Sequence, residues 1–492
     1  MKLATVVIRS LVWTTGGQIA TFGFTFAANL LLVRLVDAPL FGEIAVAASL
    51  VEILGFVASF AVNQAVLQHS DDGERAVAAT VTLSLGLAAI LACVGVVSCV
   101  LLRPLYGRLV VIFAAWLFAS KALQLISAPY LTLYERNFDY RGLSLLRFAT
   151  GTAATWAAVW LAWRGWGVES LVTSRFAADL LTFLFLAAVV MPRVGLVGLV
   201  RRADAAQLKR TLRFGLNLWS LRTLEQILYN VDVLVIGQLF PQARGFQIGC
   251  YSQAKYIAGL PNTFASGLSQ TMSYRLYAAK KDQPDQLTRV SNIIARSLSR
   301  LLLPFTLTLI IYPDVVLRLL YGEKWLAAAP MLRVFGTYSL IVALYSNTRA
   351  LLVAIERWAD LYLIYALGIA AYAALALTPF NSDIYAACAI FMAALVVVLL
   401  TSWTSLAQGM RVDLRSILVA PALVTIATLG IWTLLRYVGP ASLTQGNFLG
   451  LAVCMLLPTF LLLIADRRFL VEAGLAALRP ERLDSPAVES VV

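Results

Sequence analysis

The chain has 492 residues, of which 60% are hydrophobic and only 13% charged, and its mean hydropathy is +0.82. That composition excludes a soluble globular protein and marks an integral membrane protein. The net charge of +13 would point to nucleic acid in a soluble chain, but here it must first be placed relative to a bilayer. A span needs about 20 apolar residues, so fourteen spans take about 280 and leave no room for a sizeable soluble domain.

The first apolar run, 11–33, follows Lys2 and Arg9 and is too long for the core of a secretory signal, so it reads as the first span. Further spans are expected at 44–67, 77–102, 109–133, 143–163 and 168–190. A basic connection separates these six from eight more at 214–239, 250–274, 293–317, 329–354, 361–379, 384–407, 416–438 and 447–465. The expected class is therefore an all-α polytopic membrane protein with about 14 transmembrane helices. Its expected parts are a six-helix bundle over 1–192, a cytoplasmic basic connection over 193–213 and a second bundle over 214–410. Two additional helices over 411–465 and a cytoplasmic tail over 466–492 complete it. The spans at 214 and 250 carry Arg222, Glu225, Asp232 and Lys255, which lower their hydropathy.

Counting Lys and Arg in alternate connections orients the chain, because cytoplasmic loops carry the excess. Twenty-two fall on the side of the two termini and eight on the other, the latter being Arg34, Arg103, Arg108, Arg164, Arg244, Arg318, Lys324 and Arg436. Both termini are thus expected in the cytoplasm, and the +13 becomes a topology signal that leaves no role for nucleic acid. Two short strings recur. Leu102-Arg103-Pro104-Leu105-Tyr106-Gly107 matches Leu317-Arg318-Leu319-Leu320-Tyr321-Gly322 at five of six positions, and Glu135-Arg136-Asn137-Phe138-Asp139 resembles Glu356-Arg357-Trp358-Ala359-Asp360. Each pair is separated by six expected spans and keeps its side, which reads as a parallel repeat of spans one to six in seven to twelve.

Polar residues inside spans are informative because lipid-facing positions exclude them. One face of the first span holds Thr14, Gln18, Thr21, Thr25 and Asn29; the second holds Glu52, Ser59 and Asn63. The seventh has Arg222, Glu225, Tyr229 and Asp232, and the eighth Tyr251, Lys255, Asn262, Ser266 and Ser273 with Gln270 beside them. Such stripes suggest a water-accessible cavity between two bundles, the alternative being that small polar residues glue helix to helix. Pro261 interrupts the eighth span and should kink it. Trp160, Trp163 and Trp166 around Arg164 read as an interfacial belt, with stacking on sugar as the alternative. The five cysteines show no CxxC spacing and His69 is the sole histidine, so neither disulfide nor metal site is implied.

Three stretches carry a resemblance: Arg34-Leu35-Val36-Asp37-Ala38-Pro39-Leu40-Phe41-Gly42, Ile248-Gly249-Cys250-Tyr251-Ser252-Gln253-Ala254 with Leu260-Pro261, and Tyr321-Gly322-Glu323-Lys324-Trp325 with Ala329-Pro330. They resemble the polysaccharide-transport flippases often called Wzx-type, of the MOP superfamily that also holds MATE drug exporters and lipid II flippases. The resemblance implies two six-helix bundles around a central cavity that alternates between membrane sides. It further implies movement of an undecaprenyl-diphosphate-linked oligosaccharide across a bacterial inner membrane, among membrane lipids and beside a polysaccharide polymerase and chain-length regulator. A diphosphate needs cations along its path, and Arg222 and Lys255 are the candidates. Gln18, Asn29, Asn63, Asn262 and Gln270 are the candidates for sugar. No cofactor and no nucleotide-binding string is present, so an ion gradient (H+ or Na+) or the substrate gradient must supply energy. Glu52, Glu225 and Asp232 are the carboxylates able to carry that ion, or else to neutralise Arg222 or Lys255. The competing readings are a MATE-like exporter and a membrane polymerase or glycosyltransferase; the short expected outer loops speak against the latter.

Overall fold

In lipid a backbone N–H or C=O finds no partner except another backbone group, so continuous apolar runs become helices. The computed structural model describes residues 3–58, 73–136, 140–194, 205–239, 245–280, 283–377, 383–407, 413–438 and 448–465, and all regular structure among them is helical. The principal helices are α1 (Leu3–Leu35), α2 (Ala38–Ala58), α3 (Gly73–Arg136), α4 (Tyr140–Trp163), α5 (Gly167–Val189), α6 (Ala205–Leu239) and α7 (Phe246–Lys280). They continue as α8 (Pro284–Ile311), α9 (Pro313–Leu320), α10 (Tyr338–Ala354), α11 (Trp358–Ala376), α12 (Ile384–Ala407), α13 (Leu414–Val438) and α14 (Phe448–Ala465). Among the described residues nine stretches are long and apolar enough to cross a bilayer, from Gly16–Leu35 to Ile417–Leu434. The helices α4, α6, α7, α11 and α14 are not among the nine; α11 and α14 carry shorter apolar stretches, and in α6 and α7 the charged residues at their centres lower the hydropathy. Of the expected connection at 193–213, residues 195–204 lie outside the described residues and 205–213 already belong to α6, while all of the tail at 466–492 lies outside them.

Several elements differ from expectation. The connection expected near 103–108 is a break at one residue: helix runs through Arg103–Tyr106 and is interrupted at Gly107, with φ 84° and ψ 176°. Gly322, ending the matching string, has φ 91° and ψ 179°. Both strings thus end in the same left-handed backbone conformation, which glycine alone adopts at little cost. The span expected at 329–354 is divided into Ala329–Val334, a 3-10 turn at Phe335–Thr337, and α10. Gly336 in that turn packs so closely on α8 that an added Cβ would collide with the Ile310 side chain.

By contacts the chain forms two compact units. The first comprises 1–256, 317–331 and 361–398. In it α4 packs on α1 and α5, α3 on α2 and α5, and α6 on α2 and α3. The second comprises 257–316, 332–360 and 399–492, with α8 as the hub for α10, α13 and α14. Leu303 and Leu307 of α8 meet Val424 and Leu462 there. Outward faces are apolar: Val96, Val100 and Leu101 are each about two-thirds exposed (66%, 68% and 66%), an arrangement costly in water and favoured in hydrocarbon. Trp160, Trp163 and Trp166 are exposed around the end of α4, and the Arg164 guanidinium lies 5.1 Å from the Trp160 ring centre.

Pro261 stands inside α7 and cannot donate to the preceding turn. The opened turn is filled from α10. The Ser339 hydroxyl donates to the Ala258 carbonyl and accepts from the Asn262 N–H at 3.1 Å, so a side chain is stitched into the helix ladder.

Candidate functional site

Tyr229 and Asp232 are one turn apart on α6, and Tyr251 and Lys255 one turn apart on α7, so each pair shares a helix face. These faces meet. The Lys255 ammonium lies 2.7 Å from Asp232 Oδ2 and donates at 2.7 Å to the Tyr229 carbonyl oxygen. Its third direction is covered by the Phe391 ring of α12, 4.1 Å away at the centroid. Tyr251 donates to the same Asp232 oxygen at 2.5 Å, and Asp232 is completely buried. An isolated charge at this position would be prohibitively costly, and the pairing removes that cost. Asp232 Oδ1 receives no hydrogen bond from the described residues. Lys255 and Asp232, expected as phosphate ligand and ion carrier or else as a neutralising pair, are each other's partners.

Arg222 is exposed, one turn from Glu225, with no hydrogen bond or ion pair to any described residue. On α1, Gln18 is exposed and Asn29 half-buried, while the Thr21 and Thr25 hydroxyls bond back to Gly17 and Thr21 carbonyls of their own helix. Those two threonines satisfy themselves, as hydroxyls within apolar helices commonly do. Asn262 is half-buried, and its Oδ1 receives no hydrogen bond from the described residues. Asn63 lies outside the described residues, as does the side chain of Gln270.

A second polar cluster was missed in the sequence. Glu52 of α2 is paired by Lys121 of α3, whose ammonium lies 3.0 Å from both carboxylate oxygens. Beside it Asp179 of α5 accepts from Ser120 and, at 2.9 Å, from Gln124, both on α3. These residues and Arg175 line a cavity of about 270 Å³. Its trace in the sequence is that Lys121, Arg175 and Asp179 are charges within apolar runs.

At the other end of these helices, Arg34 of α1 donates to the Leu319 carbonyl and, at 3.0 Å, to the Leu320 carbonyl, the last turn of α9. Lys324 donates to the carbonyls of Arg34 and Val36 at 2.8 and 2.6 Å, the last turn of α1 and the residue just beyond it. Trp325 Nε1 adds a bond to the Val33 carbonyl. Arg34 thus caps the negative end of α9, and Lys324, four residues past that end, caps the negative end of α1. Gly249 allows α7 to lie against the start of α2, since a Cβ there would land on the Ala38 carbonyl oxygen. The three stretches that carried the resemblance meet at this junction.

Among the described residues the chain is helical, with charges paired inside its helices, and it has the build of a multi-pass membrane protein. The fold agrees: a lipid II flippase MurJ structure in an inward closed conformation superposes with TM-score 0.68, covering 94% of this chain and all of that one at 13% identity. An inward-facing MATE-family multidrug resistance transporter of the MOP superfamily gives 0.58 over 79% of this chain and 93% of that one, at 14% identity. The chain belongs to the polysaccharide biosynthesis protein family, whose pattern matches residues 31–330. The succinoglycan biosynthesis transport protein ExoT of Rhizobium meliloti is 22% identical over 333 residues, 67% of this chain and 65% of that protein.

Proposed function

We propose that the protein is a flippase that moves an undecaprenyl-diphosphate-linked oligosaccharide repeat unit from the cytoplasmic to the outer leaflet of a bacterial inner membrane, by alternating access, for exopolysaccharide or O-antigen assembly. The observation that carries this reading is family membership: a polysaccharide biosynthesis sequence is built here as a membrane-crossing helical chain. The transport named for ExoT favours moving the substrate over making bonds in it. Both termini face the cytoplasm, and a polymerase and chain-length regulator receive the product. Arg222 is the group for the diphosphate, because its guanidinium is exposed, makes no hydrogen bond or ion pair among the described residues, and suits phosphate bidentately. Lys255 serves only when Asp232 releases it, and Glu52, Glu225 and Asp232 are the carboxylates for a coupling ion. In a deletion strain, polymer export should stop while lipid-linked repeat units accumulate in the inner leaflet, read by leaflet-specific labelling. Unchanged pools would refute the reading, and glycan lengthening by purified protein would replace it with a polymerase.

A further inference from the structure

The cavity between α2, α3 and α5 has a chemistry of its own. Its polar groups converge at one depth. Glu52 is fourteen residues from the start of α2, Lys121 fourteen from the Gly107 break, and Asp179 twelve from the start of α5. At 1.5 Å per residue these distances are about 21, 21 and 18 Å, beyond the midpoint of a hydrocarbon core of about 30 Å. On the orientation given by the basic residues, that is the cytoplasmic half.

The charges lining the cavity balance: two carboxylates, Glu52 and Asp179, and two cations, Lys121 and Arg175. A diphosphate entering would meet both carboxylates, and a cationic drug or metal ion would meet both cations. Neither ion is compensated for losing its water. What remains unspent is paired donors and acceptors. Asp179 uses Oδ2 for Ser120 and Gln124, and among the described residues nothing bonds to Oδ1. Arg175, one turn away on α5, is exposed and makes no hydrogen bond or ion pair with any described residue. A carboxylate oxygen one turn from an exposed guanidinium in the same cavity matches two adjacent hydroxyls, one donating to the carboxylate and the other accepting from the guanidinium. Val51 and Leu117 supply an apolar wall for the C–H face of a ring. The volume of about 270 Å³ is at the small end of ligand cavities, enough for a sugar ring and too little for an oligosaccharide.

We propose that this cavity is a subsite for one neutral sugar residue, held by Asp179 and Arg175 with Gln124 and Ser120 positioning the carboxylate. The proposal rests on the oligosaccharide reading above and names the part of the substrate that the first unit recognises. The test is saturation-transfer NMR on purified full-length protein in nanodiscs, with the methyl glycosides of glucose, galactose and mannose as probes and inorganic pyrophosphate as competitor. At least one glycoside should give a signal, which Asp179→Asn and Arg175→Met each reduce at least fivefold. Thr459→Val in α14 should leave it unchanged. Arg175 is exposed, so its variant keeps the test open should Asp179→Asn fail to fold. No glycoside signal on the parent protein, a signal insensitive to both substitutions, or displacement by pyrophosphate would each overturn the subsite. These outcomes are separate from the transport reading, which stands or falls on lipid-linked pools in the deletion strain.

Discussion

Removing the Lys255 charge without its bulk, by Lys255→Met, strands a carboxylate that has no exposure at all. Removing one partner of a buried ion pair costs about 3–5 kcal/mol. The lower end applies here, because Tyr251 still donates to Asp232 Oδ2 and thioether packing on Phe391 replaces the ammonium–ring contact. The Tyr229 carbonyl also loses its donor, which adds about 1 kcal/mol. Adding Asp232→Asn removes the stranded charge and restores a donor near that carbonyl, so the double variant should return to within about 1–2 kcal/mol of the parent. Thermal unfolding of the four proteins in one detergent provides the cycle. Lys255→Met should melt well below the parent and the double variant above Lys255→Met. Equal melting of Lys255→Met and parent, or additive losses in the double variant, would show that the pair carries no coupling and refute the argument.

Three further outcomes follow from the same geometry. Ser339→Ala leaves the Ala258 carbonyl and the Asn262 N–H facing each other across an opened turn and should cost about 1–3 kcal/mol, seen as a lower melting temperature; Ser339→Thr keeps the hydroxyl and should recover part of it. Gly249→Ala must push the start of α7 off the Ala38 carbonyl, costing about 1–3 kcal/mol, and faster thiol labelling of a cysteine at position 38 would report the separation. Cysteines placed after Arg202 and Lys281 should react only from the cytoplasm, and cysteines after Gly107 and Lys324 only from outside; external labelling near Lys281 would overturn both orientation and repeat.

The membrane class and helical nature of the chain were legible from composition alone, because burial in lipid acts on every residue of a run and leaves a signal in one dimension. The partners of charged residues were not. Asp232 and Lys255 were both visible as polar residues on helix faces, but periodicity says which face a residue occupies and nothing about which helix it meets. Neutralisation of Lys255 stood only as one alternative for any of Glu52, Glu225 and Asp232, and it took the fold to single out Asp232. Glu52 fared likewise: Lys121, its partner, is 69 positions away on α3. The break at Gly107 was hidden for another reason. Arg103 and Pro104 look like a connection in a hydropathy profile, yet the helix tolerates both and yields only where backbone geometry requires glycine.

The exchange of cations between Arg34 and Lys324 bears on how such a chain can be re-engineered. Each positive side chain is anchored in a stretch whose own carbonyls are served by the other, so neither stretch is a self-sufficient module. A chimera that imports residues 317–331 from a relative leaves Arg34 facing unfamiliar carbonyls, and a chimera that imports the end of α1 does the same to Lys324. Recombination points within this protein should therefore be chosen to carry 33–36 and 319–325 together, although nearly three hundred residues of sequence lie between them.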